Sequence, residues 1–468
     1  MVMPLKDKSS KRGSVLFLGE SANEVTGSAY LVSHKQYQIL LDFGMVQGHG
    51  DIYTNYKANY DQCHSVRPKL IDSVIVSHAN IDHHGLVPYL YSRGCKAPIF
   101  VVEGTKKFLR HLWEDSYNIM LSDSAKIEKK RGRKAPILYE PKDIEKALSY
   151  VVEIPFNYEI NINPDVSFEF LQAGHIIHAG SIYMTLRRGY IKTNIWYSGD
   201  IGPDKKQLYV EERQSPKRFD IGIMENTYNK PSRINKLRDR EKDLEKIESI
   251  INEYDRTIFP SFALNRTQVI LTELYRLWKD NKIPQDIKVV LDAPLAIRLS
   301  NIWDGDGWNE VWEWDNLIKI TDFKESQEIQ KDKSKMIVIC GSGMCNFGRI
   351  VSWLQSSLEN SKAHLVFIGY CPPEGLADDI KTNKRYITIN DMCLENKMNY
   401  TELRSFSSHA SREELIELYS SLEGQKFCIV HGDSEFKPQF CNDLQEELYK
   451  QSKSTRVICT AKGQKIYF

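Results

Sequence analysis

The chain has 468 residues, of which 41% are hydrophobic and 27% charged, so it is long enough for two domains with hydrophobic cores. No apolar run reaches the roughly 18 residues of a membrane span, and the polar N-terminus lacks the apolar core of a signal peptide. The nine cysteines include no Cys-x-x-Cys pair, which suits reduced thiols in the cytoplasm. Because the formal net charge is only +1, a nucleic-acid partner would have to be bound by a local basic surface.

The first candidate site follows a strand that is rich in β-branched residues. Residues 71–76 predict a buried strand, and the segment SHANIDHHG, residues 77–85, comes directly after it. The ends of strands are where open α/β sheets place their chemistry. His78, Asp82 and His83 are ligand types that zinc and related divalent ions prefer. The segment therefore indicates a metal site, and the alternative is a polar loop with incidental histidines.

A basic segment, KIEKKRGRKAP, covers residues 126–136. Its composition predicts a solvated loop. The alternative is that it forms part of a phosphate-binding face.

Three later strand-like segments end in the same way, in a possible ligand beside a glycine. They deliver His175, Asp200 and His431. A single histidine at a strand end is more often structural than a ligand, but the recurrence of one pattern makes chance improbable. Together these strand ends predict that one metal site is assembled from several parts of the chain.

The block between the last two of these segments has a pattern of its own. From Glu225 to about residue 395 it alternates between helix-like and strand-like segments. Residues 236–254 predict an exposed amphipathic helix, and the segments IKVVLDAPLA and KMIVICGSGM predict buried strands. The central block is therefore predicted to be an insertion.

Taken in order, these segments resemble the metallo-β-lactamase superfamily and, within it, the β-CASP nucleases, which include RNase J and the nuclease subunit of the pre-mRNA cleavage and polyadenylation machinery. Asp42, in QILLDFGMVQG, matches the first aspartate of the superfamily. The β-CASP motifs are matched by MENTYN at Glu225, FALNRTQ at Arg266, DAPLA, GSGMCNFGR, FSSHAS at His409 and VHGD at His431. The order and spacing of these motifs agree along nearly the whole chain.

The resemblance implies an α/β fold, a metallo-β-lactamase αββα sandwich with an inserted α/β β-CASP domain. We expect residues 1–210 and 396–468 to form the sandwich and residues 211–395 to form the insertion.

The resemblance also implies two divalent metal ions, which are expected to be zinc with manganese as the alternative. One ion would be held by His78, Asn80, His175 and Asp200, and the other by Asp82, His83, Asp200 and His431. Asp200 would bridge the two ions. Such a centre suits hydrolysis of a phosphodiester, because two cations activate a water and stabilise the charge that develops on phosphate.

This chain departs from the family pattern at two positions. Asn80 stands where the family has a second histidine, and an amide oxygen is a weaker zinc ligand than imidazole, so the first ion should be held less tightly or be manganese. Three residues after His175 the chain has His178 in place of the usual glycine. Either His178 compensates for the lost ligand or it lines the loop and touches substrate, and we prefer the second interpretation.

Asp82, His409 and Glu225 are the candidate catalytic residues. By resemblance, His409 is a general acid or phosphate clamp for the leaving oxygen, and Glu225 orients it and holds it protonated. Without the family, His409 is a loop histidine before a helix whose N-cap is Ser411 and whose capping box is completed by Glu414. Both interpretations are compatible, because the cap would fix the loop that presents the histidine.

Arg266, Ser342 and Ser407 are further candidates for binding substrate, because guanidinium and hydroxyl groups match phosphate oxygens. A turn or an ion pair is an equally good interpretation of these three residues.

The expected function is hydrolysis of single-stranded RNA by a metal-activated hydroxide in the cytoplasm. The alternatives are a DNA-cutting β-CASP nuclease and a catalytically impaired β-CASP scaffold subunit of an RNA-processing complex. Hydrolysis of a small ester or lactam is disfavoured, because the inserted block would cover a small-substrate cleft. A homodimer or a partner protein could supply substrate specificity, and endonuclease and exonuclease action both stay open.

Overall fold

The computed structural model describes residues 13–48, 51–231, 239–345, 347–369 and 375–468. They fall into two compact units along the chain. The described residues within Met1–Lys236 and Ser408–Phe468 form the first unit, and those within Leu237–Ser407 form the second.

The described residues form strands and α-helices with the following bounds. The strands of the first half are β1 (Ser14–Phe17), β2 (Tyr30–His34), β3 (Tyr37–Leu41), β4 (Ser73–Ile75), β5 (Ile99–Val102), β6 (Val151–Ile154), β7 (Ile160–Asn163), β8 (Val166–Gln172), β9 (Gly180–Arg188), β10 (Ile191–Tyr197) and β11 (Arg218–Glu225). The later strands are β12 (Arg256–Pro260), β13 (Lys288–Asp292), β14 (Leu317–Lys319), β15 (Met336–Cys340), β16 (Ala363–Phe367), β17 (Tyr386–Ile389), β18 (Met392–Glu395), β19 (Asn399–Glu402), β20 (Glu423–Val430), β21 (Arg456–Cys459) and β22 (Lys465–Tyr467). The helices are α1 (Ile52–His64), α2 (Ile81–His84), α3 (Val87–Ser92), α4 (Lys106–Arg131), α5 (Pro141–Leu148), α6 (Arg240–Glu253), α7 (Arg266–Lys279), α8 (Pro294–Ser300), α9 (Trp308–Trp312), α10 (Phe323–Lys331), α11 (Arg349–Ser357), α12 (Leu376–Lys381), α13 (Arg412–Ser421) and α14 (Lys437–Lys450).

The first unit is built on two seven-stranded sheets. The strand order is β22-β1-β2-β3-β4-β5-β6 in one sheet and β21-β20-β11-β10-β9-β8-β7 in the other. Strands from before and after the second unit share both sheets: β22 pairs with β1, and β20 pairs in parallel with β11. The C-terminal segment is therefore an integral part of the first unit.

Alternating side chains of each strand serve two different cores. In β3, Ile39 and Leu41 pack into the cluster between the sheets, where they join Phe168 and Ile195 of the second sheet. Leu40, between them in sequence, points the other way into a cluster that contains Trp113 of α4. This is the period of two expected for a strand that is buried on both faces.

Helices cover the outer faces of the two sheets. On the first sheet, Leu109 and Trp113 of α4 pack with Ile144 of α5 in the outer cluster. On the second sheet, Trp196 of β10 contacts Tyr419 of α13, with ring centroids 6.3 Å apart. The first unit is therefore a four-layer αββα sandwich.

The second unit is a separate α/β domain. Its six-stranded sheet has the order β14-β13-β15-β12-β16-β19, and its paired strands are parallel. The core includes Ile258, Val338 and Leu365 from the sheet together with Trp353 and Leu354 of α11. Strands β17 and β18 form a separate antiparallel pair.

The chain passes between the units later than the predicted boundaries at residues 210/211 and 395/396. Strand β11 lies in the first unit because it pairs with β10 and β20, and β19 lies in the second because it pairs with β16. The predicted helix at 236–254 is α6, and its first residues lie outside the described part of the chain.

The interpretation of residues 126–136 as a loop is wrong for the first half of that segment. Helix α4 continues to Arg131 and ends at Gly132, whose φ of 73° terminates the helix.

The predicted capping box of α13 is present: the Ser411 side chain accepts from the Glu414 amide, and the Glu414 carboxylate accepts from the Ser411 amide. None of the helices in the described ranges is both long and apolar enough to cross a membrane.

Candidate metal centre

Strand ends of the first unit deliver the possible ligands. His78 follows β4, and His175 follows β8. Asp200 follows β10, and His431 comes directly after β20. The backbone turns sharply there, because Gly199 and His431 have positive φ angles of 55° and 54°. A positive φ is costly for histidine, and such strain is typical of functional sites.

The possible ligands converge in two groups. The first group consists of His78, His175 and Asp200, and the second consists of Asp82, His83 and His431. Within each group, one ligand atom from every residue lies within 4.8 Å of the others. Six of the seven side chains that the sequence singled out as ligands are thus brought together, and the seventh, Asn80, is described below.

Asp200 lies between the two groups. Its Oδ2 is 3.6 Å from Nε2 of His78 and 3.7 Å from Nε2 of His175. Its Oδ1 is 3.3 Å from Nε2 of His83 and 3.4 Å from Nδ1 of His431. Each carboxylate oxygen therefore faces a different group, which is the arrangement that a bridging ligand requires.

The donor atoms fit divalent metal ions. Nε2 of His78, Nε2 of His83 and Oδ1 of Asp200 are buried and have no hydrogen-bond partner among the described residues. Buried polar atoms without partners are costly, and cations at the two positions would satisfy them. Imidazole nitrogens combined with carboxylates are a donor set typical of zinc.

Asp42 orients the second group by binding the side of the His83 ring that faces away from the metal position. Its carboxylate accepts a hydrogen bond of 2.7 Å from Nδ1 of His83. The amide and the hydroxyl of Ser77 also donate to it, each at 2.7 Å, and the Tyr197 hydroxyl donates at 2.5 Å. Because Nδ1 of His83 donates to Asp42, Nε2 is left to face the metal position. Sequence analysis matched Asp42 to the superfamily but missed the contributions of Ser77 and Tyr197.

The histidines of the first group are held in the neutral form that a ligand needs. Burial and the neighbouring His83 hold the pKa of His78 well below its usual value. Burial and the neighbouring His409 lower the pKa of His175 to about 3. Nδ1 of His175 also donates to the Ser408 carbonyl, 2.9 Å away, which leaves Nε2 as the ligand atom.

The second group carries the opposite perturbation. Burial acts to lower the pKa of His83, but the surrounding carboxylates of Asp200, Asp82 and Asp42 raise it well above its usual value. Positive charge is therefore strongly favoured at this position, and a metal ion would supply it in place of the proton.

Asn80 belongs to the first group by position. It precedes α2, and its Nδ2 lies 3.1 Å from Nε2 of His175. The amide nitrogen of Asn80 thus faces Nε2 of His175, the atom that would bind an ion. Rotation of the amide group by 180° would exchange its nitrogen and oxygen and place the oxygen there instead. This placement agrees with Asn80 as a neutral, weak ligand.

His178 lies in neither group. Its ring covers Gly104, where a Cβ atom would lie 2.5 Å from the imidazole, and its centroid is 6.1 Å from that of Phe108. These two contacts of His178 are with residues at the beginning of α4. They favour the loop-lining interpretation over a compensating metal ligand, and contact with substrate stays a prediction.

His409 and Glu225 lie beside the first group. Nδ1 of His409 is 3.6 Å from a carboxylate oxygen of Glu225 and 4.0 Å from Oδ2 of Asp200. Glu225 is held by the amides of Ile201 and Thr227, at 2.7 and 2.8 Å. Burial acts to raise the pKa of Glu225, but the hydrogen bond and charge of His409 outweigh it, so the pKa is lowered.

The three predicted phosphate contacts lie in the second unit. The Arg266 guanidinium is buried and donates to the Ile368 carbonyl, which is a structural role. The Ser342 hydroxyl is buried without a hydrogen-bond partner among the described residues, and Ser407 is 7% exposed. Contact of these residues with substrate stays a prediction.

Comparison with known families matches the same parts of the chain. Residues 22–245 match the metallo-beta-lactamase superfamily, residues 267–380 the Beta-Casp domain, and residues 396–455 the Zn-dependent metallo-hydrolase RNA specificity domain. The chain belongs to the β-CASP branch of the metallo-β-lactamase superfamily. The predicted family and fold class are confirmed, and with them the predicted class of metal-dependent hydrolytic nuclease.

Two curated proteins illustrate the relationship. Ribonuclease TTHA0252 of Thermus thermophilus is 28% identical over 431 residues, which cover 89% of this chain and 92% of the ribonuclease. The transcription termination factor FttA of Methanosarcina mazei is 26% identical over 93% of this chain and 69% of its own length. A crystal structure of a protein of unknown function from Enterococcus faecalis shares the fold, with a TM-score of 0.56, 15% identity, and coverage of 98% of this chain and 100% of that one.

The weak-ligand interpretation of Asn80 predicts the metal content of the purified chain. Asn80→His should bring zinc content, measured by mass spectrometry after dialysis, from closer to one ion per chain to closer to two, because imidazole adds a nitrogen donor. His178→Ala is the matched control and should leave metal content unchanged. The interpretation fails if the wild type already retains two ions, and loss of an ion in His178→Ala would make that residue a ligand.

Proposed function

We propose that this chain is a ribonuclease that hydrolyses phosphodiester bonds of single-stranded RNA with two divalent metal ions. The observation that carries the proposal is the position of Asp200, with one carboxylate oxygen toward each group of possible ligands. When bound, two ions at these positions would polarise the phosphodiester and generate a hydroxide nucleophile from water at neutral pH.

The protein would hold the first ion with His78, His175, Asp200 and the weak donor Asn80. It would hold the second with Asp82, His83, Asp200 and His431. Zinc is the ion that this donor set fits best, and manganese is the alternative, because a harder oxygen donor stands at position 80. Asp82, whose side chain is 20% exposed, marks the side from which substrate would reach the centre.

His409 is proposed to serve the leaving oxygen. Its side chain is 20% exposed and can reach substrate, whereas the Glu225 carboxylate behind it is 1% exposed and held by two amides. The Glu225 carboxylate, 3.6 Å from Nδ1 of His409, orients the imidazole at the edge of the metal centre. His409 can therefore deliver a proton to the leaving oxygen when the phosphorus–oxygen bond breaks.

RNA is favoured over DNA by two lines of support. The segment 396–455 matches a domain described by its RNA specificity. The curated relative that this chain matches over 92% of its length is a ribonuclease.

We place the action of this protein in the cytoplasm, because the eight described cysteines are free thiols, as expected in a reducing compartment.

A scaffold subunit with impaired catalysis is the second candidate. It is favoured by one observation, the contact of Nδ2 of Asn80 with the ligand nitrogen of His175. An amide that donates to that nitrogen occupies its lone pair and competes with a metal ion.

The ribonuclease proposal is tested at its bridging ligand. Asp200→Asn and His83→Ala should each abolish cleavage of labelled single-stranded RNA, and a chelator should do the same to the wild type, because each change removes the two-ion centre. Asp165→Asn, which alters a carboxylate paired with Lys35, is the control and should cleave at the wild-type rate. Wild-type cleavage by Asp200→Asn would disprove the two-ion centre, and absence of cleavage in a wild type loaded with two ions would favour the scaffold.

The role of His409 predicts a selective defect. His409→Ala should lower turnover by roughly a hundredfold or more without loss of metal. A substrate whose leaving oxygen is replaced by sulfur should restore much of this loss, because a thiolate leaves without being protonated. Asp200→Asn is the control and should not be rescued by this substrate. Loss of metal in His409→Ala, or equal defects with both substrates, would contradict the assignment.

A further inference from the structure

One exposed helix face of the first unit carries a row of aromatic rings that the metal centre does not use. Tyr53, Tyr56 and Tyr60 of α1 have ring centroids 6.3 and 6.0 Å apart, and Tyr60 stacks on His64 at 4.1 Å. The row ends inside the core at Tyr89 of α3, which is 4% exposed and lies 6.1 Å from His64. We call these five residues the α1 ladder.

The spacing of the sequence produces this row. The tyrosines and His64 are separated by three, four and four positions, so they share one face of α1 over about 16 Å of helix. The neighbouring face of the helix is buried through Asn59, Gln62 and Cys63. On the ladder, Tyr60 is 38% exposed, and His64 is exposed as well.

Cationic side chains stand at both ends of the α1 ladder. The Arg131 guanidinium carbon lies 3.7 Å from the centre of the Tyr53 ring, and that of Arg93 lies 5.3 Å from the centre of the Tyr89 ring. Lys130, next to Arg131, has a side chain that is 77% exposed. Asp51 is the nearby acid, 3.9 Å from Lys130 and 4.0 Å from Arg131. These contacts are long, so the charges stay available to a ligand.

The buried face of α1 attaches the ladder to the metal-bearing part of the unit. Asn59 exchanges hydrogen bonds of 2.7 and 3.0 Å with the backbone of Val46, and Nε2 of Gln62 donates to the Gly44 carbonyl at 2.8 Å. Gly44 packs so closely on Asp82 that a Cβ atom would lie 1.6 Å from the Asp82 carbonyl oxygen. The ladder and the second metal group are thus joined through one loop.

We propose that the α1 ladder is a second contact surface for single-stranded RNA, on which unpaired bases stack while Arg93, Lys130 and Arg131 face the phosphates. The choice of RNA as occupant rests on the proposed function. Aromatic rings combined with cations are the surface to which single strands bind without sequence preference, and rings that served only to stabilise the helix would need neither exposure nor flanking charge. The α1 ladder would then hold a polymer at a distance from the bond being cut.

Binding of RNA without cleavage tests this surface directly. In the full-length protein, with chelator present, Tyr60→Ala and His64→Ala should each weaken binding of a labelled single-stranded RNA of about 20 nucleotides by roughly tenfold. Tyr60→Phe keeps the ring and should bind as the wild type does. Tyr449→Ala removes a tyrosine that is 66% exposed on α14, and as the matched control it should also leave affinity unchanged.

The salt dependence of RNA affinity tests the cationic residues at the ends of the α1 ladder independently. Arg93→Gln and Lys130→Gln should each reduce the slope of log affinity against log salt concentration by somewhat less than one, because each removes about one phosphate contact. Cross-linking of RNA that contains a photoreactive uridine should label a peptide of α1, and Tyr60→Ala should reduce that label. Thermal unfolding of every variant checks that its fold is retained.

The outcomes separate this inference from the proposed function. Unchanged RNA affinity in folded Tyr60→Ala and His64→Ala overturns the inference, as does wild-type protein that binds no RNA, whether or not cleavage is observed. Equal weakening by Tyr449→Ala also overturns it, because the effect would not be specific to the α1 ladder. Weakened binding by the ladder variants alone supports it, even if the chain proves to be a scaffold that cuts nothing.

Discussion

The architecture of the metal centre depends on one buried carboxylate. Asp200 is 2% exposed and has four imidazoles within 3.7 Å of its oxygens. A buried carboxylate is costly unless positive charge surrounds it. Burial raises the pKa of Asp200, but the charges of His431 and His83 outweigh that effect and hold the pKa well below its usual value. The protein therefore maintains a negative charge at the point where two cations would meet.

The αββα sandwich is what allows this concentration of ligands. His78 follows a strand of the first sheet, whereas His175, Asp200 and His431 follow strands of the second. The packing of the two sheets brings those ends together, and the apolar cluster between the sheets sets their separation. Asp42, which follows β3, then fixes the ring of His83, so one carboxylate would bridge the ions and another would orient a ligand.

The ligand positions could be predicted because their signal is local. An apolar strand that ends in a small residue and a ligand is visible in a short stretch of sequence, as it is before His175 and Asp200. The layers could be predicted only through resemblance to a family, because strand order depends on contacts between distant parts of the chain. The same limit explains why the hydrogen bond between Tyr197 and Asp42, 155 residues apart, was missed.

Other features are visible in the sequence, but their meaning depends on the structure. The charges of the basic segment before Arg131 suggest a solvated loop, yet a helix with one solvated face tolerates the same charges. Domain boundaries inferred from motif order do not reveal that β11 and β19 complete different sheets. The spacing of the tyrosines on α1 is legible, but its meaning requires the exposure of Tyr60 and the position of Arg131.

The position of Asp200 between two ions is tested most directly by crystals of the chain grown with zinc. Anomalous diffraction at the zinc absorption edge should show two peaks, one on each side of the Asp200 carboxylate. The first peak should be bounded by His78 and His175, and the second by His83 and His431, with lower occupancy at the first because of Asn80. A single peak, or two peaks of which neither contacts Asp200, would contradict the account.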